Sequence, residues 1–116
     1  MIVAYVAGPF RAPNAWDQEQ NIRRAEAVAL DVAGLGAVAI CPHTQSRFFG
    51  RTINETYWLR ATMEMMERCD AVVLCRGWRK SAGSVAERKR ALELGLPVLD
   101  GVGVFREWLE IAEEAG

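Results

Sequence analysis

The chain has little cysteine, and its cysteines follow no pattern that holds a metal or builds a disulfide framework. Cys41, Cys69 and Cys75 are the three in 116 residues, and no C-x-x-C spacing occurs. An odd number without that spacing argues against both zinc and a disulfide scaffold. Because each lies in or beside an apolar run, we predict buried, reduced thiols in a cytoplasmic protein. We also expect that the protein binds neither a metal nor a cofactor.

Long apolar runs and an excess of one charge are also missing. No run approaches the ~20 apolar residues that a membrane span needs. The first ten residues, MIVAYVAGPF, lack a basic n-region and place Gly8-Pro9 where a signal peptide's apolar core would continue, so they predict a strand. The net charge is −1, which gives no bulk basic surface. We therefore predict a protein that binds neither membrane nor nucleic acid polymer.

What the chain does have is a regular alternation of apolar, strand-like segments with amphipathic ones. The predicted strands are 1–7, 37–41, 71–74 and 97–99, and the predicted helices run over about 17–34, 54–68, 84–94 and from about 105 onward. This order predicts a single α/β domain over residues 1–116. The expected architecture is a Rossmann-like or flavodoxin-like three-layer sandwich whose sheet is mostly parallel and has four or five strands.

In such a fold the loops that follow the strands meet at one edge of the sheet. Right-handed crossovers place them there, and ligands bind at that edge near the point where the strand order reverses. The loops concerned are 8–16, 42–53 and 75–84. The second is longer than most connections in compact domains, a feature that often marks function.

Glu87 stands just after the third of these loops, in the stretch SAGSVAE at 81–87. Ser84 and Glu87 fit the S-x-x-E capping box, which predicts a purely structural role. The fold, however, carries Glu87 to the ligand edge. A helix N-terminus also favours an ionised carboxylate, which a nucleophile or a cation stabiliser needs. On the residues alone, cap and nucleophile remain alternatives.

Two of the edge loops could hold an anion. The first contains Gly8, Pro9, Phe10 and Arg11, whose backbone amides and guanidinium suit a phosphate. It matches neither G-x-G-x-x-G nor the P-loop pattern, so a tight turn with a solvated arginine is the alternative. The third contains Ser81, Gly83 and Ser84 at a helix start, a second possible cradle.

The remaining candidates are single residues. His43 is the only histidine, and we expect a ligand contact or a bystander rather than proton transfer. Asp70 begins the third strand as a possible site residue, and Tyr5 lies in the middle of the first strand, where its hydroxyl needs a partner. The aromatic side chains in or beside the edge loops, Phe10, Trp16 and Trp78, could stack on a base or pack in the core.

Four segments together resemble the nucleoside 2-deoxyribosyltransferase superfamily, over about residues 2–99. They are YVAGPFR, CDAVVL, W-x-x-S-A-G-S-x-x-E and A-x-x-x-G-x-P-V. The closest likeness is to small bacterial and phage members, and the outline is similar to that of the 2'-deoxynucleoside 5'-phosphate N-hydrolases.

The resemblance implies a Rossmann-like enzyme that cleaves the N-glycosidic bond of a nucleoside or nucleoside 5'-monophosphate. It implies that Glu87 is the nucleophile with Tyr5 near it, that Gly8 and Arg11 hold the 5' end, and that Ser81 contacts a 5'-phosphate. It also implies a homo-oligomer, a dimer or larger. The family carries an acidic residue eight positions before the strand-three aspartate. Here that position is Thr62, and Glu64, two residues on, is expected on a different helix face.

The resemblance leaves hydrolase and transferase open. The proton donor to the leaving base is also open between Asp70, Glu64, His43 and water. A non-catalytic nucleotide-binding module and a structural or interaction domain are the alternatives from other functional classes.

Overall fold

The computed structural model describes residues 1–45 and 54–115. The elements are β1 (Val3–Ala7), α1 (Ala15–Gly34), β2 (Val38–Ile40), α2 (Pro42–Gln45), α3 (Glu55–Glu67), β3 (Ala71–Leu74), a 3-10 turn (Trp78–Lys80), α4 (Ala82–Glu93), β4 (Val98–Asp100) and α5 (Val102–Ala115). The predicted alternation of strands and helices is confirmed. The predicted loop 42–53 begins with the short helix α2, and its remainder, 46–53, lies outside the described residues.

The four strands of the described sheet are all parallel and stand in the order β2-β1-β3-β4. The chain builds β2 on one side of β1 and then returns to build β3 on the other. The strand order therefore reverses between β1 and β3, and their carboxyl ends, Ala7 and Leu74, mark the place where ligands bind in such sheets.

Helices cover both faces, as a three-layer sandwich requires. One face packs against α1 and α5, and its buried side chains are Ala4, Val32, Ala37, Ala71, Val73, Leu99, Phe105 and Leu109. The other packs against α3 and α4, with Tyr5, Ala7, Met66, Cys69, Val72, Leu74, Trp78 and Ala91 buried. Because successive strand residues point to opposite faces, Ala4 faces α1 and α5, whereas Tyr5 faces α3 and α4.

Local signals in the sequence account for several helix ends. Asn54 caps α3, since its side chain accepts a hydrogen bond from the Tyr57 amide at 2.9 Å. Asn14 caps α1 in the same way through the Asp17 amide at 2.8 Å, so α1 begins at Ala15, two residues before the predicted start. Gly95 follows α4 with φ +74°, a left-handed conformation that favours glycine.

Among the described residues, no helix is both long and apolar enough to cross a membrane. Cys69 and Cys75 are buried, Cys41 is half-buried, and all three thiols are free.

Candidate active site

Tyr5 and Glu87 form the centre of the site. Tyr5 is 1% exposed in the middle of β1, and its hydroxyl donates a hydrogen bond to Oε2 of Glu87. Burial, and then the negative charge of Glu87, raise the pKa of Tyr5 well above its usual value, while the Thr62 hydroxyl acts in the opposite direction. Tyr5 is therefore a neutral phenol that can only donate to the carboxylate.

The electrostatics of Glu87 are set by burial rather than by the helix end. Removal from water raises the pKa of the carboxyl, and the Tyr5 hydrogen bond and the nearby His43 partly offset that rise. The sequence led us to expect that the N-terminus of the helix favours an ionised Glu87, and this expectation is wrong. Helix α4 begins at Ala82, so Glu87 lies in its second turn, beyond the first turn where the dipole acts.

The capping prediction for Ser84 and Glu87 is also wrong. Ser81, not Ser84, is the N-cap of α4, and its Oγ accepts hydrogen bonds from the Ser84 amide at 3.2 Å and the Ser84 hydroxyl at 3.0 Å. A hydroxyl has two acceptor lone pairs and one hydrogen, so these bonds leave the Ser81 hydrogen for a ligand. Ser84 itself is 1% exposed and serves the helix start rather than a ligand.

Glu87 opens onto a cleft of about 460 Å³ between α3 and α4. Its lining residues are Leu59, Arg60, Thr62, Met63, Glu64, Glu67, Gly83, Ala86 and Glu87. That volume lies in the range of ~300–1,000 Å³ typical of small-molecule sites. Thr62 and Glu64, which we expect on different faces of the helix, both contribute to the lining of the cleft. Glu64 also pairs with Arg68 at 3.1 Å.

The loop after β1 lies at the same edge, and packing fixes its path. A Cβ on Gly8 would lie 2.6 Å from the Cβ of Cys75 and 2.9 Å from its Sγ, so only glycine fits there. Arg11, predicted to hold a phosphate, forms an ion pair with Glu55 in the first turn of α3, and its side chain is 66% exposed. The guanidinium is thus at the edge, but it already has an anionic partner.

His43 is buried, at 5% exposure, and its Nε2 lies 3.0 Å from the Gly8 carbonyl oxygen and 2.9 Å from that of Pro9. Burial lowers the pKa of the imidazole. The predicted ligand contact is therefore not available at Nε2, which the backbone occupies. Asn21, which the sequence analysis did not single out, holds the next two carbonyls of the same loop, at 3.3 Å and 3.4 Å.

Two further candidate residues have structural contacts that account for their positions. Asp70 precedes β3 at the amino end of the sheet, opposite the ligand edge, and its carboxylate accepts from the Val3 amide at 2.9 Å. Trp78 is 8% exposed, and the guanidinium groups of Arg79 and Arg88 lie over its ring at 4.7 Å and 5.1 Å. Asp70 has a structural contact to explain it, and Trp78 has no free face on which a base could stack.

The other two aromatic candidates differ in environment. Phe10 packs edge-on against His43, with 5.6 Å between the ring centres, whereas Trp16 is 68% exposed. Within residues 1–45 and 54–115, no group of three or more acidic, histidine or cysteine side chains is arranged to hold a metal ion.

Comparison with known proteins gives a family and a fold. The family described as "Domain of unknown function (DUF4406)" matches residues 2–100. A solved structure of a 2-deoxyribosyltransferase from Bacillus psychrosaccharolyticus is similar to the chain with a TM-score of 0.60 and 19% sequence identity, over 84% of this chain and 69% of that one. No curated protein sequence matches the chain. The resemblance to the deoxyribosyltransferases is confirmed at the level of the fold.

Proposed function

We propose that the chain, which belongs to the DUF4406 family, breaks the N-glycosidic bond of a nucleoside 5'-monophosphate. One observation carries the proposal: a half-buried carboxylate, Glu87, lines the cleft between α3 and α4 and accepts a hydrogen bond from Tyr5, on a strand next to which the strand order reverses. The shared fold with a 2-deoxyribosyltransferase supports the same reaction class.

The reaction begins at Glu87. Because Oε2 accepts from Tyr5, Oε1 is the oxygen that approaches C1' of the sugar. A bond forms between Oε1 and C1' while the C1'–N bond breaks. The bonding pair leaves with the base, which takes up a proton. The transition state has oxocarbenium character, so the ionised carboxylate stabilises it before bonding to it.

The second step decides the type of enzyme. If water attacks C1', the glycosyl ester is hydrolysed and the products are free base and deoxyribose 5-phosphate, or ribose 5-phosphate for a ribonucleotide. If the nitrogen of a second base attacks instead, the products are a new nucleotide and free Glu87. Both steps regenerate the carboxylate held by Tyr5.

The positions of the candidate residues reduce the number of groups that could donate a proton to the leaving base. Asp70 is at the opposite edge, and the neutral His43 points its Nε2 hydrogen at the backbone. Glu64 lines the same cleft as Glu87, although it is exposed and paired with Arg68. We assign the proton to a water molecule in the cleft, or to Glu64 once it has left Arg68 and taken up a proton from solvent.

The 5'-phosphate fits the loop side of the site. Ser81 has a hydrogen to donate at the start of α4, and Arg11 can exchange its exposed pairing with Glu55 for a phosphate. Charge-assisted hydrogen bonds contribute roughly 1.5–3 kcal/mol each. We expect monophosphates to bind about tenfold or more tightly than the corresponding nucleosides.

The test is a panel of nucleosides and 5'-monophosphates, scored for free base by chromatography, with the wild type and Glu87→Gln. The amide cannot form the glycosyl ester, so turnover should fall by several orders of magnitude while nucleotide still binds. Glu93→Gln is the matched control, since Glu93 ends the same helix and pairs with Arg90 at 3.4 Å. Full activity in Glu87→Gln would rule out Glu87 as the nucleophile.

Thr62 favours a second candidate, a non-catalytic nucleotide-binding module, because it stands where the resemblance leads us to expect an acid. That module would bind nucleotides tightly in the same panel without releasing base. The expected homo-oligomer and cytoplasmic location stay predictions, and sedimentation analysis of the purified chain tests the first.

A further inference from the structure

The loop after β1 is tied to a distant part of the chain by one buried side chain. His43, from α2, places Nε2 within 3.0 Å of the Gly8 carbonyl oxygen and 2.9 Å of the Pro9 carbonyl oxygen, and its ring packs against Phe10. Carbonyl oxygens only accept hydrogen bonds, so Nε2 carries a hydrogen. Since burial lowers the pKa of His43, the ring is the neutral Nε2–H tautomer.

The two following carbonyls of the loop are held by a second side chain. Asn21, on α1, places Nδ2 at 3.3 Å from the Phe10 carbonyl oxygen and 3.4 Å from that of Arg11. Four consecutive carbonyl groups, at positions 8–11, thus accept hydrogen bonds from two side chains of different helices. Such side-chain-to-backbone bonds substitute for the secondary structure that the loop lacks.

We propose that His43 and Asn21 are positioning residues that fix loop 8–11 for an anionic ligand, acting through the backbone rather than by touching the ligand. An anion is repelled by carbonyl oxygens and attracted by amide hydrogens. Tying all four carbonyls to α1 and α2 removes that repulsion from the ligand edge and sets the path of Arg11. The identity of the anion rests on the proposed function, but the dependence of the loop on the two side chains does not.

Three variants separate positioning from other roles. His43→Gln keeps an N–H donor that can reach the position of Nε2, whereas His43→Ala has none. Asn21→Ala removes the other donor inside α1, where alanine favours the helix, so this variant keeps its fold. Thr44→Ala is the control for disturbance of α2, since Thr44 is exposed and its hydroxyl donates to the Cys41 sulfur, at 3.7 Å.

Hydrogen exchange and nucleotide binding give independent measurements. In His43→Ala and Asn21→Ala, exchange of the backbone amides at residues 8 and 10–12 should become faster while exchange in β3 is unchanged. Calorimetric Kd values for the four 2'-deoxynucleoside 5'-monophosphates should rise about tenfold, ~1.4 kcal/mol. His43→Gln and Thr44→Ala should resemble the wild type in both measurements.

The opposite results overturn the proposal. One is that amide exchange of the loop is unchanged in both alanine variants. The other is that His43→Gln is as impaired as His43→Ala in loop exchange and nucleotide binding. Nitrogen-15 NMR of the unmodified protein adds a test that needs no variant, because the neutral ring must carry its hydrogen on Nε2, and a hydrogen on Nδ1 would contradict the tether. If none of the four nucleotides binds even to the wild type, the proposed function fails, while the exchange data still decide the role of His43 and Asn21.

Discussion

Replacing Tyr5 by phenylalanine isolates the hydrogen bond that holds the charge of Glu87. Phenylalanine keeps the ring that packs in the core and removes only the hydroxyl that donates to Oε2. Tyr5 is 1% exposed, so its hydroxyl is a donor that the folded protein, rather than bulk water, supplies to Glu87. Losing a hydrogen bond to a charged group should lower the free energy of unfolding by roughly 1.5–3 kcal/mol at pH 7, against ~0.5–1.5 kcal/mol for a neutral pair.

A double-mutant cycle separates the two cases. In the Glu87→Gln background the hydroxyl faces a neutral amide, so Tyr5→Phe should cost about 1 kcal/mol less there than in the wild type. Urea unfolding followed by tryptophan fluorescence and circular dichroism gives the four free energies. Equal costs in both backgrounds would mean that the bond does not involve a charged Glu87, which would contradict the proposed nucleophile.

The loss of unfolding free energy caused by Tyr5→Phe should depend on pH with a definite sign. Burial raises the folded-state pKa of Glu87, so the folded protein holds its proton to higher pH than the unfolded chain does. Stability from this group therefore increases as the pH falls through the folded pKa, and it is fully present below the unfolded value. The extra cost of Tyr5→Phe should shrink over the same window, because the carboxyl becomes neutral.

Three further predictions concern the rest of the site. Gly8→Ala should destabilise the fold by ~1–3 kcal/mol in urea unfolding, because its Cβ would lie 2.6 Å from the Cβ of Cys75. Adding Cys75→Gly should relieve this clash, whereas adding Cys75→Ala, which keeps the Cβ, should not. Glu55→Gln frees Arg11 and should tighten 5'-monophosphate binding up to about fivefold in low-salt calorimetry, with no change for nucleosides, since exposed pairs contribute ~0.2–1 kcal/mol. The acid limb of kcat/KM should lie above the ordinary pKa of a glutamate, because burial disfavours ionised Glu87, and a limb at or below that value would contradict this.

The fold was predictable from the sequence because its signals are local and agree with one another. The apolar runs of β1 and β3, the cap at Asn54 and the helix stop at Gly95 all predict the elements that form. The edge at which ligands bind in such sheets then follows from topology. The same reasoning argues against Asp70, because a residue that precedes a strand lies at the opposite edge from one that follows it.

The details of the site depend on contacts that no local pattern encodes. Ser81 lies three residues before Ser84, and Ser84 lies three residues before Glu87, so either serine could cap α4. Ser81 is the cap in the structure, and Glu87 instead accepts a hydrogen bond from Tyr5, 82 positions away, a contact that depends on tertiary structure. Trp78 is enclosed by two guanidinium groups that the sequence places in different elements. The burial of His43 likewise results from carbonyls 34 and 35 positions away.

Trapping the glycosyl-enzyme tests the central claim most directly. A substrate 5'-monophosphate fluorinated at C2' forms the ester but releases it slowly, because fluorine destabilises the cation needed for release. After incubation, the intact mass should increase by the fluorinated sugar phosphate, and peptide mapping should place that mass on Glu87 and find none in Glu87→Gln. An adduct on another residue, or one that persists in Glu87→Gln, would contradict the account.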